Sequence, residues 1–194
     1  MLINGDMIFA YAEYYLQATN QLASLKNREY RKGDWNIFCM PLLFNFRHYL
    51  ELGLKSCIFM KKEEMILETL SRANASKEDI YKTEKIMDEK IKCTHDISKL
   101  LKSLEKYFPN EDNIFSENVK YFINSISDYD KKSDVFRYPF NTKGKCIIPE
   151  KPILQVGEIK AMIKKASKEL NAIASQLIGD LNVARNNFFS KREK

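Results

Sequence analysis

Residues 37–60, IFCMPLLFNFRHYLELGLKSCIFM, are the longest apolar run in the chain, yet Arg47, His48, Glu51 and Lys55 interrupt it. At about 100° per residue those four fall within roughly 100° of arc. Leu42, Leu43, Phe46, Leu50, Gly53, Leu54 and Cys57 occupy the broad face opposite. The pattern predicts a mostly buried helix with one narrow polar stripe, around which the other elements must pack. Charged groups are rarely buried without partners, and Arg47/Glu51 and Glu51/Lys55 are i,i+4 neighbours that can supply them. Two readings of the stripe stay open. It is either a solvated seam with ion pairs contributing about 0–1 kcal/mol each, or the wall of a polar cleft offering Arg, His and Lys to an anion.

The remaining sequence predicts helices around it. From about Asn4 or Asp6 to Leu25 an amphipathic helix keeps Met7, Ala10, Tyr11, Tyr14, Tyr15, Ala18, Leu22 and Leu25 at helical spacing. Its tyrosines read as core residues with hydroxyls at the rim, in preference to stacking platforms. Asn27 to Asp34 is a basic turn short enough to make the first two helices an antiparallel hairpin. Pro41 is tolerable only near the first turn of the second helix. Glu63 to Arg72 either extends that helix or forms its own, and Ser76 to Asp79 opens another running to about Lys90. Thr94 or Asp96 caps ISKLLKSLEKYF, and Ser116 caps a helix to about Ser127. FRYPF (136–140) against CII (146–148) reads as a small hairpin near 135–149. A long helix from about Gln155 to Phe189 follows, with Ile159, Met162, Ile163, Ala166, Leu170, Ile173, Leu177, Leu181 and Ala184 on one face. We therefore expect one all-α domain over 1–190, an up-and-down bundle with a hairpin insertion, and a frayed basic tail at 191–194.

Few glycines (6) and prolines (5) suit helices, and 44% hydrophobic residues in 194 suffice for a real core. The +6 formal charge leans toward anionic partners. Cys39, Cys57, Cys93 and Cys146 lack metal spacing, and Cys39 and Cys57 read as core. Neither a signal peptide nor a span of roughly 18 apolar residues is present. A cytoplasmic protein without membrane association, metal or cofactor is the expectation.

Chemistry is confined to few residues. There are two histidines, His48 on the stripe beside Arg47, and His95 beside Asp96 at a helix start that favours anions. Phe136-Arg137-Tyr138-Pro139 is the third notable cluster. Two imidazoles can serve as acid and base while arginines clamp a phosphate, a set that suffices for attack of a ribose 2′-hydroxyl on its neighbouring phosphate. The structural alternative assigns His95 to capping and Arg137 to bridging hairpin and bundle.

FRHYLELGLK (46–55), THDISKL (94–100) and DVFRYPFNTKG (134–144), with Ser133 completing S-x-x-FRYP, resemble a family of bacterial HEPN-like proteins. Their pattern is an RHxLELxLK helix, an HDLxxL helix start and an SxxFRYP segment, and the likeness spans roughly residues 36–150. The resemblance implies an all-α bundle, often homodimeric, in toxin–antitoxin or phage-defence settings. Many relatives are metal-independent ribonucleases, while others only bind nucleotides or partner proteins. It also implies that Arg47, His48, Glu51, Lys55, His95, Asp96 and Arg137 line one polar site. On this reading His48 and His95 are catalytic, Arg47, Lys55 and Arg137 hold phosphate, and Glu51 and Asp96 orient them. RNA or a nucleotide is then the ligand, and an antitoxin or defence component a partner. The chain departs from the ribonuclease pattern, because no arginine stands four to six residues ahead of either histidine. Arg47 and His48 are adjacent and diverge by about 100° on a helix. The alternative is a non-catalytic helical module acting through dimerisation or a partner protein.

Overall fold

The computed structural model describes residues 5–24, 35–73, 89–109, 113–131, 133, 135–138, 143–145 and 156–190. The basic turn at 27–34, the capping box at 76–79, Cys146 and the tail at 191–194 lie outside them. The described residues form an all-helical bundle: α1 (Gly5–Ser24), α2 (Trp35–Ala73), α3 (Glu89–Lys92), α4 (Ile97–Glu105), α5 (Glu117–Tyr129) and α6 (Val156–Ser190). None of these helices is long and apolar enough to cross a membrane.

α2 is the 39-residue axis of the bundle. Its predicted apolar face is buried throughout, with Leu42, Phe46, Leu50, Leu54 and Cys57 fully enclosed. Residues 63–72 continue the same helix. Pro41 stands in the second turn, not the first, where it forfeits one intrahelical hydrogen bond.

α1 packs antiparallel to α2. Ser56 Oγ donates to the Gly5 carbonyl at 2.6 Å near one end, and the Tyr15 and His48 rings meet at 5.0 Å near the other. The buried positions of α1 are Gly5, Phe9, Ala12, Leu16 and Thr19. The face is thus rotated from the predicted one, and Tyr11 and Tyr14 point outward. The small residues explain the rotation. A Cβ on Gly5 would stand 2.6 Å from Met60 Cγ and 3.2 Å from the Ser56 carbonyl oxygen of α2. The helices approach too closely along this line for a tyrosine to fit between them.

α6 runs parallel to α2. The Tyr49 hydroxyl donates to Asn171 Oδ1, and Arg185 reaches Glu63 at 2.8 Å further along both helices. α4 starts beside Glu51 and ends beside Lys61, whose ammonium lies 5.7 Å from the centre of the Phe108 ring. It therefore shares the direction of α2. α5 returns antiparallel, with Ser127 bonded to Asp96 and Lys120 to Glu105. Ser116 precedes α5 as predicted, but its hydroxyl and N–H both donate to the Glu169 carboxylate on α6, at 2.8 and 2.9 Å.

Among the described residues there is no strand. Val135, Phe136 and Arg137 form a turn where a strand is predicted, and the partner at 146–148 lies outside the described residues. The Asp130 carboxylate accepts the Val135 N–H at 3.1 Å, and Ser133 adopts φ 61°. The chain is thereby folded over the end of α5, stacking Phe136 on Tyr129 at 5.4 Å. Packing of the aromatic ring overrides its β-propensity.

Candidate functional site

The polar stripe of α2 is buried, which removes the solvated-seam reading: Arg47 is 0% exposed, Glu51 6% and Lys55 7%. Helical spacing stacks the three on one line, and the chain segments that follow α3 and α5 close over them. Arg47 Nη1 donates to Glu51 Oε2 at 3.0 Å and Nε to the Asp130 carbonyl at 3.1 Å. Arg47 Nη2 donates to the His95 carbonyl, and Asp130 Oδ2 lies 3.5 Å from Nε. Lys55 Nζ donates to Glu51 Oε1 at 2.9 Å and to the Lys92 carbonyl at 3.0 Å. Two interior cations thus face two carboxylates, and every contact ties α2 to another segment or to its own next turn. A phosphate contact by Arg47 would require breaking three hydrogen bonds in a water-free environment. As placed, Arg47 and Lys55 organise the bundle.

Glu51 is the hub. Burial alone would push its carboxyl up. The hydrogen bond and charge of Lys55, the hydrogen bond of Arg47 and the charge of His95 more than offset that and hold it below the ordinary glutamate range. An ionised carboxylate only accepts hydrogen bonds. His95 Nδ1 lies 2.9 Å from Glu51 Oε1, so Nδ1 carries the proton and Nε2 keeps its lone pair when the ring is neutral. The His95 side chain is 57% exposed. The arrangement is therefore a buried carboxylate fixing the tautomer of a solvent-facing imidazole, which can accept a proton from an approaching group.

His48 occupies a different setting. Its ring is half-buried between Phe44 at 4.6 Å and Tyr15 at 5.0 Å. Arg137 Nη2 lies 3.3 Å from His48 Nε2, and its guanidinium carbon sits 5.4 Å from the centre of the Phe44 ring. Arginine only donates, so His48 Nε2 accepts and Nδ1 carries the proton. Burial pulls His48 below its ordinary range, Glu51 opposes that pull, and the charges of Arg137, Arg47 and His95 reinforce it. The His48 Nδ1 proton is buried and has no hydrogen-bond partner among the described residues.

Asp96 is the cap of α4, accepting the Lys99 N–H at 3.2 Å and the Ser127 hydroxyl at 3.0 Å. Burial raises its carboxyl, but those hydrogen bonds and the Lys99 charge bring it below the ordinary range. Asp96 thereby fixes where the His95 backbone sits, while Glu51 orients the ring. The structure brings Arg47, Glu51, Lys55 and His95 into one network and Arg137 onto His48 beside it. Sequence reasoning did not single out Asp130 or Phe44, and it placed Tyr15 in the α1 core pattern without a link to His48. Asp130 is one of several acids in DYDKKSD, and no periodicity separates it from its neighbours. Among the described residues no group of three His, Cys, Asp or Glu side chains is arranged to hold a metal ion. Compared with protein-family models, curated proteins and solved structures, the chain matches none of them.

Proposed function

We propose that this chain is a HEPN-like helical domain that acts on RNA, in a toxin–antitoxin or phage-defence setting, and that His95 is its proton-accepting group. The observation supporting this reading is the Glu51 Oε1–His95 Nδ1 contact at 2.9 Å, which leaves Nε2 of an exposed ring free to act as an acceptor. In the reaction, His95 Nε2 takes the proton of a ribose 2′-hydroxyl as that oxygen attacks the adjacent phosphorus. The bond from phosphorus to the 5′-oxygen breaks, leaving a 2′,3′-cyclic phosphate and a 5′-hydroxyl. His48 supplies the proton to the leaving oxygen. For this step the neutral His48 ring must first take a proton from solvent at Nε2, which ends its acceptance from Arg137 and releases that guanidinium to the phosphate; because His48 is held below its ordinary range, this form is the minor one.

The test is cleavage of total RNA and tRNA in the presence of EDTA. His95→Ala should lose at least about a hundredfold in rate, the usual contribution of a general base, with its thermal midpoint nearly unchanged. Undiminished cleavage by the folded variant would overturn the assignment. One observation favours a second reading, a non-catalytic interaction module: Arg47 is fully enclosed and bonded to internal partners. Absence of cleavage across a wide range of wild-type protein concentration would select it.

A further inference from the structure

The proposed site has a neighbour that the reaction does not use. On α1, Met7, Tyr11, Tyr14, Tyr15 and Ala18 fall within roughly 100° of arc. Met7 is 67% exposed, Tyr11 57% and Tyr14 66%. This stripe carries no charge. The two carboxylates of α1, Asp6 and Glu13, lie on its other flank, where Asp6 pairs with Arg185 of α6 at 2.9 Å. The aromatic rings continue inward from the stripe without a gap. Tyr11 meets Tyr15 edge-on at 5.7 Å, Tyr15 meets His48 at 5.0 Å, and His48 meets Phe44 at 4.6 Å. Arg137 closes the series over Phe44. An exposed cation therefore stands at one end of an uncharged aromatic surface.

A solvated helix face would carry Lys and Glu at these positions. Exposed rings free of carboxylates, ending at a guanidinium, are complementary to a chain that alternates flat apolar groups with negative charges. We infer that the α1 stripe is a stacking platform for the unpaired bases of single-stranded RNA, with Arg137 contacting the phosphate where the strand enters the His95 site. This rests on the proposed function and adds the form of the substrate. A duplex is excluded because its bases are stacked on one another and present no free faces.

The probe is a fluorescently labelled 2′-O-methyl oligouridine, which cannot be cleaved because its 2′-oxygens are blocked. Binding is read by anisotropy with the strand alone and annealed to its complement. The wild type should bind the single strand at least about tenfold more tightly than the duplex. Tyr11→Ala/Tyr14→Ala should weaken single-strand binding about tenfold or more. Tyr11→Phe/Tyr14→Phe, which keeps both rings, should restore it, and all three proteins should melt together because these side chains are exposed. Equal affinity for strand and duplex, no binding by the wild type, or full affinity in the alanine variant would each overturn the inference. So would a wild-type dimer that the alanine variant converts to monomer without loss of RNA affinity, since the stripe would then be a protein interface. Failure here is separable from failure of the catalytic reading. Cleavage that needs His95 but ignores the tyrosines sinks only the platform, and tyrosine-dependent binding with His95-independent cleavage sinks only the base.

Discussion

Replacing Glu51 by Gln keeps the shape of the hub and removes its charge. Three donors converge on the two carboxylate oxygens: Arg47 Nη1, Lys55 Nζ and His95 Nδ1. Glutamine offers one carbonyl oxygen and, in either amide orientation, turns an NH₂ group toward at least one cation. Arg47 is 0% exposed and Lys55 7%, so water cannot substitute for the missing acceptor. Removing one partner of a buried ion pair costs about 3–5 kcal/mol. Arg47 retains the Asp130 and His95 carbonyls, which places Glu51→Gln near the lower end, at about 3 kcal/mol. For a chain of this size that corresponds to a fall of roughly 6–12 °C in Tm. Urea unfolding followed by circular dichroism at neutral pH measures it directly. A loss below about 1 kcal/mol, the value of an exposed pair, would refute the buried-hub argument. Acid titration adds a second reading. The folded-state pKa of Glu51 is depressed, so its contribution is complete above about pH 4.3 and is lost as pH falls through the lower folded value. The wild type should therefore show a steeper acid limb than Glu51→Gln, and parallel limbs would refute that part.

Two further outcomes follow from single side chains. His48 is also held below its ordinary range in the folded state, so the unfolded chain binds the proton first and acidification destabilises the fold. Tm of His48→Gln should depend less on pH than that of the wild type between about pH 5 and 8, and superimposable profiles would exclude the effect. Ser133 adopts φ 61° with a buried hydroxyl that has no hydrogen-bond partner among the described residues. Ser133→Gly relieves both costs against the added freedom of the unfolded chain, and should raise stability by about 1 kcal/mol in urea unfolding; a destabilised variant would show that the hydroxyl has a role in the fold.

The sequence reveals helix existence and the main axis because periodicity over 20 or more residues is dictated by burial. The α2 face and the inward positions of α6 follow directly from it, as does Asp96 as a cap. The α1 face departs from the periodic pattern because tyrosine counts as apolar there, whereas close contact with α2 selects on size and favours Gly5 and Ala12. The stripe on α2 was legible as four residues, but its burial was not. That depends on Asp130 and on the carbonyls of Lys92 and His95, backbone acceptors with no sequence signature. The expected roles of Arg47 and Lys55 assumed free donors, and tertiary packing had already given those donors partners.

The direction of α6 has a consequence in time. α1 and α2 are joined by a short connection and can pair as soon as both have formed. α6 touches α2 through residues 122 positions apart, as in Tyr49–Asn171, and Arg185 clasps Asp6 across 179 positions. Closing such long loops is slow relative to local pairing. On the ribosome, the flank of α2 around Tyr49 and Gly53 waits uncovered until α6 (Val156–Ser190) has emerged. The docking of α6 should therefore be the last step of assembly, and the period before it the one in which this protein is most exposed to aggregation or capture by a chaperone.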